Sequence, residues 1–482
     1  MKKNILLYAF IIGLFGCLIG LVLDKGKALT PKSAQIVSSS LKTTEKSSPT
    51  IVSSYQSVPQ QFLNNIKSPL SLLLLQIITI LIVAKLFGFL IGKIGQPSVI
   101  GEMIAGIFLG PSVMGMLFPD FSTFLFPKNS LPNLQFLSQI GVTFFMFIVG
   151  MELDVAKLRN KAHSAVVISH ASIIFPYFLG VLISYFLYEQ FAPANVSFLS
   201  YALFIGITLS ITAFPVLARI LQERGMTKTQ LGALALTCAA ADDVTAWCIL
   251  AAVIAIVKAG SMFSALFTLS LALIFVLVMF KFIRPWIKNL GNKITENGDL
   301  NKMTVAVVFL LLLLSAYFTE TIGIHALFGA FLAGVIMPPN MKFKERIIAK
   351  LEDVSVLLLL PIFFAFTGLR TQIGLLNEGH LWGICGLVIF VAVFGKFGGS
   401  ALSAKIVGNS WKDSVSIGAL MNTRGLVELI VLNIGYDLGI LSPEIFAIMV
   451  IMALTTTFMT GPILDLVEYV TKKRTSSQSA LN

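Results

Sequence analysis

Two aspartates stand side by side in Leu234-Ala-Leu-Thr-Cys-Ala-Ala-Ala-Asp-Asp-Val-Thr-Ala-Trp247, with apolar sequence before and after. Adjacent residues of a helix point about 100° apart, so Asp242 and Asp243 face different neighbours. One can line a cavity while the other pairs with a second helix. Two negative charges this close in an apolar run are costly, and either a proton or a bound cation relieves that cost. The pair is therefore a candidate for exchanging protons with a cation. A complementary charge, Lys396, lies in Gly386-Leu-Val-Ile-Phe-Val-Ala-Val-Phe-Gly-Lys-Phe-Gly-Gly399. It is too deep in its apolar segment to reach either end, so an acidic partner on another helix is expected, with Asp242 the candidate.

Two further apolar segments are interrupted. One is Gly206-Ile-Thr-Leu-Ser-Ile-Thr-Ala-Phe-Pro-Val-Leu-Ala-Arg-Ile-Leu221, where Pro215 follows three hydroxyls, Thr212 the last of them. The other is Gly418-Ala-Leu-Met-Asn-Thr-Arg-Gly-Leu-Val-Glu-Leu-Ile-Val-Leu-Asn433, where Asn422, Thr423 and Arg424 precede a glycine. Proline removes a backbone donor, and Asn-Thr-Arg-Gly is a weak helix former. Arg424 is suited to neutralise the carbonyl ends of half-helices, with Glu428 one turn on as its local partner. Each break is followed about 30 residues later by the centre of the next apolar segment, Asp242 in one case and Thr455-Thr456-Thr457 in the other. This spacing reads as an internal repeat. Paired interrupted helices at corresponding positions of two repeats point to an ion site.

Other ionisable residues carry weaker signals. Glu102 opens a small-residue helix, Glu152 and Asp154 precede a basic loop, and Glu320 and His325 flank a short turn. Glu102, Glu428 and His325 are retained as accessory candidates, although a structural role suits Glu102 and His325 better.

The elements that must position these residues follow from composition. Of 482 residues, 56% are hydrophobic and only 12% charged, which excludes both an ordinary globular enzyme and a disordered chain. The net charge of +12 is spread along the chain without a basic stripe, so no nucleic-acid partner is expected. Four histidines (163, 170, 325 and 380) have no ligand-like spacing, and the four cysteines all fall in apolar stretches, so no cofactor, structural metal or catalytic set is expected. From Pro69 onward thirteen apolar segments centre near residues 80, 107, 142, 175, 210, 243, 272, 311, 329, 364, 393, 423 and 455. Backbone groups in lipid must be satisfied locally, so all are expected to be helical. The repeat offset, from the fifth segment to the twelfth, is odd, which makes the repeats inverted. With this count, 21 basic residues fall in loops on one side and only Lys128, Lys258 and Arg370 on the other. That bias puts the basic side in the cytoplasm. Residues 1–23 read as a signal peptide or signal anchor, 24–68 as a flexible extracytoplasmic tail, 69–470 as the transmembrane domain and 471–482 as a short cytoplasmic tail.

At these residues the chain resembles the monovalent cation:proton antiporter-2 family, and within it the cation/proton exchanger (CHX) branch of plants and bacteria. The matching stretches begin at Gln96-Pro-Ser-Val-Ile-Gly-Glu-Met-Ile-Ala-Gly, Thr212-Ala-Phe-Pro-Val-Leu-Ala-Arg, Asp243-Val-Thr-Ala-Trp, Gly323-Ile-His-Ala-Leu-Phe-Gly-Ala-Phe and Met421-Asn-Thr-Arg-Gly-Leu-Val-Glu. The resemblance implies a dimer-forming domain beside a six-helix core with two crossing broken helices. It implies exchange of Na+ or K+ for H+ by an elevator-like movement of the core. It also assigns the cation-binding carboxylate to Asp243, the neighbouring acid to Asp242 and the basic partner to Lys396. Thr212 and Asn422 to Arg424 fall in the broken helices. Many CHX-branch members have Asn at the position of Asp242, and Arg424 replaces the Lys of the family motif. The expected protein is thus a multi-pass antiporter of a cell membrane, of bacterial inner-membrane type, acting as a homodimer in lipid. A gated potassium efflux channel on the same scaffold is the alternative, and an enzyme is not expected.

Overall fold

The computed structural model describes residues 2–26, 65–66, 68–152, 162–226, 229–259, 262–289, 302–338, 340–377 and 379–479. The expected tail therefore lies largely outside the described residues. The principal helices are α1 (Lys2–Gly26), α2 (Pro69–Lys93), α3 (Ser98–Leu109), α4 (Leu131–Glu152), α5 (Ala162–Phe191), α6 (Phe198–Ser210), α7 (Phe214–Glu223), α8 (Gln230–Ala259) and α9 (Met262–Val278). They continue with α10 (Lys302–Ile322), α11 (Ala326–Val335), α12 (Met341–Glu352), α13 (Leu360–Arg370), α14 (Gly379–Val393), α15 (Gly399–Ile406), α16 (Trp411–Met421), α17 (Leu426–Asp437) and α18 (Pro443–Ser479). No strand occurs among the described residues.

Among the described residues ten helices are long and apolar enough to cross a membrane, or eleven when α16 and α17, bent by 41°, are taken as one. The segment expected near residue 329 is the 10-residue α11, about 15 Å long at 1.5 Å per residue. Its residues from Leu327 to Gly334 are all buried, so protein rather than lipid surrounds it and its short length exposes no backbone to hydrocarbon. The segment near 364 is α13, joined to the basic α12 through a π-helical turn, Asp353–Leu359. The final helix extends to Ser479, so most of the expected C-terminal tail is helical.

Packing divides the helices into two groups. In the first, α2 packs on α3 and α13, α4 packs on α11, α12 and α13, and α10 packs on α11. This group is the scaffold. In the second, α5 packs on α6, α8, α14 and α15, while α16 packs on α8, α15 and α18. Helix α17 joins this group through α6 and α18, and α9 bridges from α8 to α10. The second group, the core, reads helix, broken helix, helix twice over: α5, α6–α7, α8 and then α14–α15, α16–α17, α18. The N-terminal α1 lies against α5 and α6, with the Phe15 ring edge-on to Phe175 and Phe178 at 5.8 and 5.3 Å.

Candidate functional site

Both interrupted segments are unwound in the structure, and they meet. Helix α6 ends at Ser210; Ile211 (φ −73°, ψ 139°) and Ala213 (φ −87°, ψ 90°) are extended, and α7 starts at Phe214. Pro215 falls in the first turn of α7, where the missing N–H has no partner to lose. Helix α16 ends at Met421, and the chain re-enters helix at Leu426 through Gly425, whose φ of 142° excludes ordinary side chains. The Ala213 N–H donates to the Thr423 carbonyl at 3.0 Å, and the Thr212 hydroxyl donates to the Met421 carbonyl at 3.1 Å. Each unwound stretch thus supplies hydrogen-bond partners that the other lost by leaving the helix. The breaks stabilise one another by crossing.

Leaving a helix also strands carbonyls at its C-terminal end, where the backbone dipoles sum to a partial negative charge. At the end of α6 two cations meet them. Arg424 donates to the Thr208 carbonyl at 3.0 Å and to the Leu209 carbonyl at 2.6 Å, and Lys396 donates to the Ser210 carbonyl. Arg424 is itself paired with Glu428, both carboxylate oxygens lying at 3.0 Å, and both side chains are fully buried. Lys396 donates to Asp242 Oδ2 at 2.8 Å and to the Ser172 carbonyl at 3.1 Å. Its three partners match the three donors of an ammonium group. The structure therefore brings Lys396 and Asp242 together, with neither side chain reaching solvent. Lys396 occupies a π-helical turn, Phe394–Gly398, between α14 and α15. A Cβ on its neighbour Gly395 would lie 2.9 Å from Pro176 Cα, so the glycine permits the close approach of α5 that puts Ser172 under the ammonium. The Ser172 hydroxyl donates to the second Asp242 oxygen at 3.4 Å.

Asp243 has no such company. It is fully buried, and neither carboxylate oxygen has a hydrogen-bond partner among the described residues. The same holds for both ends of the Asn422 amide in the second break. Helix α8 packs directly on α7 and α16, so Asp243 is carried on the helix that lies against both broken elements. A lone buried carboxylate is untenable as a bare charge; a bound proton or a desolvated cation resolves it. Oxygen donors of this kind suit hard cations. Of the two adjacent acids, then, one has protein partners and the other has none among the described residues.

The remaining candidates fall outside this crossing. Glu102 lies in the second turn of α3 in the scaffold and is half-buried. His325 sits at the start of α11 with φ 86°, its Nδ1 accepting from the Leu327 N–H at 3.4 Å, while Glu320 accepts from the Ala326 N–H at 2.7 Å. In Thr455-Thr456-Thr457 each hydroxyl donates back to a carbonyl of its own helix. Two contributors were not singled out from sequence, Ser172 and Thr460. Thr460 shares a hydrogen bond with the Thr423 hydroxyl at 3.2 Å and donates to the Ala419 carbonyl at 3.4 Å. Its place one turn after Thr456 was the available signal, and hydroxyls on apolar helices are too common for that to stand out.

On the side of the basic loops, a cavity of about 550 Å³ opens between core and scaffold. Pro215 and Val216, just after the first break, and Leu426, just after the second, line its core wall; Glu152, Glu352 and Phe364 line the scaffold wall. The cavity thus ends at the residues that follow the two breaks, while Thr212, Asp243, Asn422 and Thr423 are fully buried.

Two unwound helices crossing inside a membrane bundle, with buried acids beside them and a one-sided cavity, define a secondary transporter. Residues 77–467 match the family described as sodium/hydrogen exchanger, transmembrane, and the chain belongs to that family. It is 44% identical over 395 residues to the Na(+)/H(+) antiporter NhaS4 of Synechocystis, covering 82% of this chain and 96% of that protein. It is 41% identical to Cation/H(+) antiporter 17 of Arabidopsis thaliana and 34% identical to K(+)/H(+) antiporter 1 of Saccharomyces cerevisiae. Those matches cover 83% and 84% of this chain, which spans about half the length of the two relatives, 49% and 47%. The solved structure of the sodium proton antiporter MjNhaP1 from Methanocaldococcus jannaschii superposes with a TM-score of 0.60 at 14% identity. The superposition covers 82% of this chain and 95% of that one, and it shows a shared fold.

Proposed function

We propose that this chain exchanges Na+ or K+ for H+ across a cell membrane, with Asp243 as the carboxylate at which the two ions compete. The observation that carries this reading is the unequal treatment of the two acids. Asp242 is held by Lys396 and Ser172, while Asp243 is buried without a partner. With a proton on Asp243 the cation is excluded. With Asp243 ionised, a dehydrated cation is held by its oxygens, by the Asn422 amide oxygen and by lone pairs of the Thr212 hydroxyl, whose hydrogen is spent on Met421. The Asp242–Lys396 pair and Arg424 stay neutralised within the protein and fix the crossing. Coupling then needs no separate energy source. Core movement with an ionised and empty Asp243 is penalised by desolvation, so the core crosses only when loaded.

The basic loops face the cytoplasm in this reading, the core moves against the scaffold, and the protein works as a homodimer in lipid. Cation-driven proton movement in everted vesicles provides the test. Asp243→Asn is expected to reduce exchange to the level of vesicles without the protein, and undiminished exchange would overturn the assignment. In the unmutated protein the cation concentration for half-maximal exchange should rise as the pH falls, as direct competition requires.

A further inference from the structure

The seam between core and scaffold is closed at the end opposite the 550 Å³ cavity, and it is closed by polar contacts. Arg370, the last residue of scaffold helix α13, pairs with Asp437, the last residue of core helix α17, at 2.7 Å. The same guanidinium donates to Asn433 Oδ1 on α17 at 3.2 Å and lies over Phe366 of its own helix and Tyr436 of the core, at 4.2 and 5.3 Å. Asn433 in turn donates to the Thr367 hydroxyl on α13 at 2.8 Å, and Gln135 on α4 donates to Asp437 at 3.3 Å. Four bonds therefore cross the seam within one turn of helix on each side. Beneath them the space between Ser138, His325, Phe363 and Asn433 is about 30 Å³, room for a single water. The core residues of this cluster belong to the second half of the broken element that carries Arg424, so strain at one end of α17 reaches the crossing at the other.

We infer that Arg370, Asp437, Asn433, Thr367 and Gln135 form a latch that holds the seam shut at this end and must be released for the ion site to open there. The inference rests on the exchange reading for its purpose but not for its mechanism. It takes its support from the contrast between the two ends of one seam: a wide cavity with apolar walls and two acids at one end, and a bonded ring around almost no space at the other. Breaking the Arg370–Asp437 pair should shift the population toward the conformation with this end open, because only the closed state makes the bond.

The experiment uses the full chain in detergent with its four cysteines replaced by serine, and it requires no transport. Single cysteines are placed at Ser138, beneath the latch, and at Val356, in the wide cavity, and the rate of modification by a hydrophilic maleimide is followed. Asp437→Asn is expected to raise the rate at Ser138→Cys by about tenfold and lower that at Val356→Cys, with an unchanged elution volume on size exclusion. The reversed pair Arg370→Asp with Asp437→Arg is expected to restore both rates. An unchanged rate at Ser138→Cys in folded Asp437→Asn protein would overturn the latch, as would equal increases at both positions, which would signal general loosening. Neither outcome bears on whether Asp243 exchanges ions, which the vesicle assay measures separately.

Discussion

The two repeats of the core share a backbone plan and divide the chemistry between them. Each has a helix, an unwound helix and a helix. The first supplies the adjacent acids, Asp242 and Asp243 on α8. The second supplies Lys396 between α14 and α15, and Arg424 in its break with its own partner Glu428 on α17. Where the first repeat has aspartates on its third helix, the second has Thr455 to Thr457, bonded to their own helix. Where the second repeat has Lys396, the facing helix α5 offers the backbone and hydroxyl of Ser172. Repetition gives a crossing with stranded backbone groups from both sides; divergence gives it opposite charges to neutralise them. Of the three buried acids, Asp242 and Glu428 are paired with Lys396 and Arg424, and Asp243 has no hydrogen-bond partner among the described residues.

The comparison can be broken most severely by giving the two third helices the same treatment. Asp243→Asn should abolish exchange, whereas Thr456→Val at the corresponding place should leave the rate within about twofold, both read from cation-driven proton movement. A large loss with Thr456→Val would end the claim that the chemistry is unequally shared. Next in size is the pair that joins the repeats. Lys396→Met leaves Asp242 buried and uncompensated, with an expected loss of about 3–5 kcal/mol, measured as thermal or denaturant stability in detergent. Asp242→Asn combined with Lys396→Met removes both charges and should recover most of that loss. If the double variant is as unstable as the single, Asp242 and Lys396 are not each other's principal partners.

Gly425→Ala tests the second break alone. The positive φ, with Val216 Cγ2 at 3.1 Å from the new Cβ, should cost about 1–3 kcal/mol of stability. The comparable Ala213→Gly in the first break, where φ is negative, should cost less than about 1 kcal/mol. The smallest effect belongs to Thr460→Val. Losing its bond to Thr423 should cost about 0.5–1.5 kcal/mol and change the cation concentration for half-maximal exchange less than tenfold. A Thr460→Val protein that no longer exchanges would move this residue from supporting the break to binding the ion.

Some of this was legible because it depends on solvent rather than on neighbours. An apolar run long enough for a bilayer must be helix, a charge inside it must have a partner or a purpose, and proline or Asn-Thr-Arg-Gly must interrupt it. Those rules pick out Asp242, Asp243, Lys396, Pro215 and Arg424 before any fold is known, and they also suggest Glu428 as the partner of Arg424. They do not foretell the short length of α11, because the sequence registers apolarity but cannot tell burial in protein from burial in lipid. The sequence names Asp242 as the candidate partner of Lys396, and the tertiary structure supplies the reason, because adjacent residues differ only in direction and that direction acquires meaning from α5 and α14 beside it. Tertiary structure alone brings in Ser172 and Thr460, whose hydroxyls resemble many others along apolar helices, and it alone joins Arg370 to Asp437 across a seam between segments far apart in the chain. Sequence sets which groups cannot remain alone in a membrane; the packing of the helices determines which of them find a partner in the protein.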